Sequence, residues 1–249
     1  MIFAAGFGTR LKPWTDAHPK ALVPVAGVPA LARVIGVMRR AGIERIVVNT
    51  HHFADQIQDF LASYGPSVVI SHEDPILETG GGLLKALPLI GEEDVLIHNA
   101  DIMTTVDLAE LTRSHYDTDA DATLLTGVRR TSRFLLFSPQ GRLCGYYRSD
   151  EGPVTVDEVA SQTGGGVIPR CFDGVHVFSR RLFPALREYA PAGTPFSIID
   201  FYRSMAPEAK IMRHDLPADR HWFDIGKPET LAKADSFYYE LSKDTLTQS

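Results

Sequence analysis

Apolar positions along this chain of 249 residues follow two spacings in turn. Leu31, Val34, Ile35 and Met38 recur at helical intervals, and Gly42 stands where a helix C-terminal cap belongs. Ile46-Val47-Val48 is a compact apolar run that predicts a buried strand, Ala54 to Ser63 a helix, and Val68-Val69-Ile70 another strand. Gly82 to Leu89 is predicted helical, Val95-Leu96-Ile97 a strand and Leu108 to Tyr116 a helix. Strands alternating with helices through Val128 predict βαβ units on a largely parallel sheet. The pattern then changes. Ser138-Pro139-Gln140-Gly141 between Phe134–Phe137 and Leu143–Arg148 predicts an antiparallel hairpin, and Gly164-Gly165-Gly166 a flexible loop. Phe172 to Phe178 resumes as a strand, with helices predicted near Arg181–Tyr189 and Ser197–Ser204. A last amphipathic helix is expected from about Pro228 to Leu241, followed by a frayed tail.

The candidate chemistry begins at the first strand. Met1 to Ala5 is apolar and breaks into Gly6-Phe7-Gly8-Thr9-Arg10, with Lys20 following Pro19. Glycines let a backbone approach a ligand closely, and successive free N–H groups in such a turn form a concave anion site. Arg10 and Lys20 add two cations within reach of the same anion, which suggests a bound polyphosphate. The dinucleotide fingerprint is excluded because Leu11 stands where its third glycine belongs. The P-loop is excluded because no Gly-Lys-Ser/Thr string occurs.

Composition narrows the field. A hydrophobic fraction of 44% and a charged fraction of 22% are ordinary for a globular protein. The net charge of −6 gives no global case for binding nucleic acid or an anionic membrane. Arg129-Arg130-x-x-Arg133 is read as a solvated turn. Cys144 and Cys171 form no C-x-x-C pattern, which argues against structural zinc and a disulfide framework. No signal peptide and no membrane-length apolar run is present, so the expected compartment is the cytoplasm. Oligomeric state is left open.

Two aspartates are candidates for a cation. Asp101 ends the string His98-Asn99-Ala100-Asp101 after a strand, where it can hold a metal or cap a turn. Asp224 lies in Trp222-Phe223-Asp224-Ile225-Gly226-Lys227-Pro228, with a turn and a helix start just after it. Mg²⁺ takes one or two carboxylates plus phosphate oxygens, so this pair would suffice.

From Phe3 to Pro29 the chain resembles the signature of sugar-1-phosphate nucleotidylyltransferases, L-A-A-G-x-G-T-R-L-x-P-L-T-x-x-x-P-K-x-L-x-P-V-x-G-x-P, with Trp14 where Leu is usual. Ala100-Asp101 and Trp222 to Lys227 resemble two further motifs of that family, with Ala100 replacing Gly and Lys227 replacing Thr. Leu77 to Gly91, containing Glu-Thr-Gly-Gly-Gly and Ala-Leu-Pro-Leu-Ile-Gly, resembles the base-recognition segment of N-acetylmuramate 1-phosphate uridylyltransferases. Only Met1-Ile2-Phe3 precede Ala4, fewer residues than family members place there, which points to a trimmed or alternative start. No hexapeptide-repeat extension is present, so no fused acyltransferase domain is expected.

The resemblance implies an α/β fold, Rossmann-like and three-layered, on a mixed, mainly parallel sheet. It implies one nucleotidyltransferase domain, with a nucleotide-binding half (1–128), a sugar-binding half (129–228) and a C-terminal helix and tail (229–249). Ala4, Ala5, Gly6, Gly8 and Thr9 would cradle the nucleotide's phosphates, with Glu73, Thr79, Gly80, Gly81 and Asn99 around the nucleotide. Gly80 to Gly82 would leave a flat surface for base or sugar. Glu73 would accept from a ring N–H that uracil and guanine both present. Asn49, Gly82, Gly174 and Lys227 would face the sugar, with His51, Asp173 and Glu158 as further polar partners; Lys227 reads equally as a solvated lysine. Asp101 and Asp224 would bind Mg²⁺, Arg10 would hold the departing pyrophosphate, and Lys20 would bridge acceptor and α-phosphate. The expected partners are a nucleoside triphosphate, UTP first, and a sugar 1-phosphate, N-acetylmuramate 1-phosphate first. Mannose or heptose 1-phosphate guanylyl transfer and a non-catalytic, nucleotide-sugar-sensing subunit are the alternatives.

Overall fold

A computed structural model of the chain describes residues 1–247, with side chains through 243. In chain order the elements are β1 (Ile2–Phe3), β2 (Pro24–Val25), β3 (Val28–Pro29), α1 (Ala30–Arg40), β4 (Ile46–Thr50), α2 (Ala54–Leu61), β5 (Val68–His72), α3 (Glu78–Ile90) and β6 (Val95–Asn99). They continue with β7 (Ile102–Thr104), α4 (Leu108–Asp117), β8 (Ala122–Gly127), β9 (Arg133–Phe137), β10 (Leu143–Arg148), α5 (Val156–Gln162) and β11 (Ile168–Phe178). The last are α6 (Phe183–Tyr189), α7 (Ile198–Met205), β12 (Ile211–Asp215), β13 (Trp222–Asp224) and α8 (Pro228–Thr247). The expected class holds: an α/β fold on a mixed, mainly parallel sheet. Residues 248 and 249 of the expected tail lie outside the described residues.

Contacts gather the chain into two compact units. One joins Met1–Ile76, His98–Leu108 and the chain from Asp219 onward; the other joins Leu77–Ile97 and Ala109–Ala218. The division expected at residue 128 is thus drawn differently, with stretches distant in sequence sharing one unit.

In the first unit β1 lies between β4 and β6 and runs parallel to both, with Phe3 level with Asn49 and with Asn99. β5 continues parallel beside β4. This register brings the carboxyl ends of three strands to one edge, where ligands of open α/β sheets bind. Every residue of β4 is buried, which accounts for its unbroken apolar start. α1 buries the stripe Leu31, Val34, Ile35 and Met38. It stops at Gly42, whose positive φ of 82° permits the paired bonds Gly42 N to Arg39 O (3.0 Å) and Ile43 N to Met38 O (3.1 Å). A two-stranded sheet sets β13 antiparallel to β7, with Asp224 opposite Ile102. α8 is tied to that sheet by the Tyr238 hydroxyl, which donates to the Thr104 carbonyl at 3.2 Å.

In the second unit β8 pairs antiparallel with β11 and parallel with β12, while β9 pairs antiparallel with β11 and β10. The expected hairpin is present, closed by Gly141 N donating to Ser138 O at 2.9 Å. Its core includes Phe178, Phe183, Phe201 and Tyr202, all fully buried, with Phe178 and Phe183 stacked 6.0 Å apart. α3 starts at Glu78, four residues before the apolar pattern predicts, so the glycine run is its first turn rather than a leading loop.

Candidate active site

The loop after β1 is anchored at its first residue. Ala4 N donates to Asn49 Oδ1 (2.7 Å), and Asn49 Nδ2 donates to Glu73 Oε1 (2.6 Å). Glu73 is 0% exposed. His51 Nδ1 sits 2.9 Å from the Glu73 carbonyl, which accepts its proton. Asn49 and Glu73, expected against sugar and base, are therefore engaged with each other in the interior and fix where the loop begins.

Further along, Gly8 takes a left-handed φ of 65°. A Cβ there would lie 2.8 Å from Lys20 Cβ and 3.0 Å from Thr15 Cγ2, so glycine lets the Lys20 stem lie against the loop. The Thr15 hydroxyl donates to the Gly8 carbonyl at 2.9 Å and holds that contact. The Lys20 ammonium pairs with Asp101, just past β6. Arg10 Nη2 stands 3.8 Å from Asp224 Oδ2.

The two pairs meet at Gly226. A Cβ built there would approach Arg10 Nη2 at 2.6 Å, Lys20 Nζ at 2.7 Å and Asp224 Oδ1 at 2.8 Å. Backbone bonds fix the geometry: Gly226 N donates to Asp224 Oδ1 (2.8 Å) and Ile225 N to the Asp101 carbonyl (3.0 Å). The sequence marks Gly226 only as a turn; its place under two cations and a carboxylate follows from the fold. Among the described residues no three His, Cys, Asp or Glu side chains gather as a metal site. Two aspartates carried on adjoining backbone fit a hard cation that completes its shell with phosphate oxygens.

The glycine strip is placed otherwise than expected. A Cβ on Gly80 would run into the Phe196 ring, and one on Gly81 would lie 2.5 Å from the Thr194 carbonyl oxygen. The amides of Gly80 and Gly81 donate to the Phe196 carbonyl at 2.8 and 3.3 Å. Thr79 Oγ1 accepts from Ile198 N at 2.9 Å, and Gly82 is buried within α3. The flat surface read as a seat for base or sugar is filled by residues 194–198, because a side-chain-free helix face lets a backbone segment pack directly on it.

Other candidates also have structural partners. Gly174 has φ 76° where the β11–β8 register shifts between Phe172 and His176, the mark of a β-bulge. Asp173 is buried and paired with Arg129, whose second nitrogen donates to the Phe172 carbonyl at 2.6 Å. Burial pushes the Asp173 carboxyl up to about 6, with Arg129 opposing that rise. Arg129 is therefore half of an interior ion pair, not the solvated residue the sequence suggested. Glu158 closes a capping box with Thr155 at the start of α5. Asn99 ends β6 and its carbonyl accepts from His98 Nδ1 at 2.8 Å. Lys227 is exposed at the start of α8.

Residues 1–205 match the model of the MobA-like NTP transferase domain, and the chain belongs to that family. It is a nucleotidyltransferase by fold and by family. It is 30% identical over 243 residues to the N-acetylmuramate alpha-1-phosphate uridylyltransferase of Caulobacter vibrioides, covering 95% of each chain. To the enzyme of the same name from Neisseria meningitidis serogroup B it is 40% identical over 111 residues, covering 43% of this chain and 48% of that one. Relatives named mannose-1-phosphate and heptose 1-phosphate guanylyltransferases match as well. The crystal structure of HddC from Yersinia pseudotuberculosis shares the fold with a TM-score of 0.72 at 22% identity, covering 95% of this chain and 97% of that one. Among the described residues no helix is long and apolar enough to cross a membrane.

Proposed function

We propose that this chain transfers a nucleotidyl group from a nucleoside triphosphate to a sugar 1-phosphate, with UTP and N-acetylmuramate 1-phosphate as the substrates. The observation that carries this reading is the convergence of Arg10, Lys20 and Asp224 over Gly226, with Asp101 held on Lys20. An acceptor phosphate oxygen attacks the α-phosphorus, the bond to the bridging oxygen breaks, and pyrophosphate leaves with the electron pair. The attacking phosphate is already ionised at neutral pH, so the site needs charge and position rather than a general base. Backbone amides from Ala5 to Thr9 hold the triphosphate, with the Ala4 amide held by Asn49 at the start of the loop. Arg10 holds the departing pyrophosphate, and Lys20 bridges acceptor and α-phosphate. Asp101 and Asp224 would hold a divalent cation, Mg²⁺ in this reading, which supplies charge neutralisation on the triphosphate when bound.

The names of the uridylyltransferase relatives support this base and sugar; in this reading the reaction serves cytoplasmic recovery of a cell-wall sugar. Relatives named guanylyltransferases favour a second reading with GTP and mannose or heptose 1-phosphate. Pyrophosphate release, measured with Mg²⁺ over UTP, GTP, CTP and dTTP crossed with five sugar 1-phosphates, separates them. Turnover confined to UTP and N-acetylmuramate 1-phosphate is expected. Turnover with GTP keeps the chemistry and replaces the substrates, and silence with every pair removes the reading.

A further inference from the structure

A cavity of about 760 Å³ lies wholly within the second unit, and four arginines line it: Arg129, Arg133, Arg148 and Arg203. Only Glu78 and Asp200 face them as acids. Arg129 is committed to the buried Asp173. Arg203 is 3.1 Å from Asp200 and stands over the Tyr146 ring at 4.3 Å. Among the described residues Arg148 pairs only with Asp150, at 3.7 Å and with that carboxylate 92% exposed, where water screens the pair. Arg133 makes no ion pair among the described residues.

The hairpin brings two of these arginines, both largely exposed, to one position on the strand pair. β9 and β10 set Arg133 directly opposite Arg148, and Leu135 opposite Tyr146, on the face that lines the cavity. Like charges opposed across an antiparallel pair destabilise it. An anion seated between them turns that repulsion into two charge-assisted hydrogen bonds, and the guanidinium fork matches a carboxylate.

We propose that Arg133 and Arg148 form a binding site for the carboxylate of an acidic sugar. The inference rests on the reading of the chain as a sugar-phosphate transferase.

The test does not depend on turnover. Calorimetric binding of N-acetylmuramate, N-acetylglucosamine and N-acetylglucosamine 1-phosphate is compared for the native protein, Arg133→Gln and Arg148→Gln. The native protein should bind N-acetylmuramate at least about tenfold more tightly than N-acetylglucosamine, the scale of a charged hydrogen bond. Each variant should bring that preference to within about twofold, while thermal melting shows it folded. Equal affinity of the native protein for N-acetylmuramate and N-acetylglucosamine overturns the proposal, as does a preference that survives in both variants. Loss of N-acetylglucosamine 1-phosphate binding in the variants also overturns it, because the arginines would then read phosphate. A preference that behaves as expected in a protein that makes no pyrophosphate leaves this site standing and removes the transferase reading.

Discussion

Lys20 Nζ occupies the space in which a side chain at residue 226 would begin, 2.7 Å from a Cβ built on Gly226. The same point is approached by Arg10 and Asp224. The atoms that would collide are tips of flexible side chains, so they can move aside, and the groups displaced are those assigned to the phosphates. Gly226 is buried, but because only flexible side-chain tips must move, Gly226→Ala is expected to fold, with a stability loss in the ordinary range of about 0.5–3 kcal/mol. Its kcat/KM should fall by about a hundredfold or more, the usual loss when a preorganised charge is misplaced. Thermal melting and pyrophosphate release together check this; near-native turnover removes Gly226 from the site.

Gly80→Ala should behave in the opposite way. Its new methyl meets the Phe196 ring at a fully packed face. Overpacking of this kind costs about 1–3 kcal/mol. The melting temperature should drop, and activity at low temperature, measured where the variant is folded, should be largely kept. A variant with native stability and a raised KM for the nucleotide would restore the glycine strip as a ligand surface.

Asn49→Ala removes both bonds of the Ala4–Asn49–Glu73 relay. It leaves the Ala4 amide without its acceptor at 2.7 Å and the buried Glu73 carboxylate without the Asn49 donor at 2.6 Å. A stability loss of about 1–3 kcal/mol is expected from urea unfolding. Because the loop start is released, KM for the triphosphate should rise as well. Loss of KM alone, with unfolding unchanged, would return Asn49 to direct ligand contact.

His98 gives the protein a pH dependence. It is 1% exposed, and burial lowers its imidazole from 6.5 to about 4. The folded state therefore holds it neutral while the unfolded chain protonates it below 6.5. Its contribution is fully present above pH 6.5 and is lost as pH falls from there through about 4, by about 3 kcal/mol in total. Asp173, raised to about 6, acts in the opposite sense in the overlapping window, stabilising as pH falls through 6. The informative quantity is thus the difference between native protein and His98→Gln. The variant's stability should fall less steeply between pH 6.5 and 4 in urea titrations; parallel curves would refute the assignment.

Much of this fold is legible in the chain because its elements are simple in period. The stripe from Leu31 to Met38, the β4 run and the Ser138–Gly141 turn all appear where their spacing puts them. Short elements fail for a physical reason: β7 and β13 have three residues each, too few to show a period, and are defined by pairing across more than a hundred positions. The capping box at Thr155 and Glu158 was a readable signal for α5, since Thr-x-x-Glu marks a helix start. The site divides along the same line. Arg10, Lys20, Asp101 and Asp224 carry charge that invites attention in any sequence. Gly226 and the Arg133–Arg148 pair become visible only when strands are set in register.

The unit holding the charged cluster is assembled from three stretches of chain separated by long excursions. Its glycine loop and Lys20 precede Asp224 and Gly226 by about two hundred residues of synthesis. A ribosomal product halted anywhere between them carries the anion loop without its second carboxylate or the turn that gathers the cations. Activity in this architecture therefore reports on synthesis through residue 226, because the phosphate-handling cluster closes only after that residue has been added.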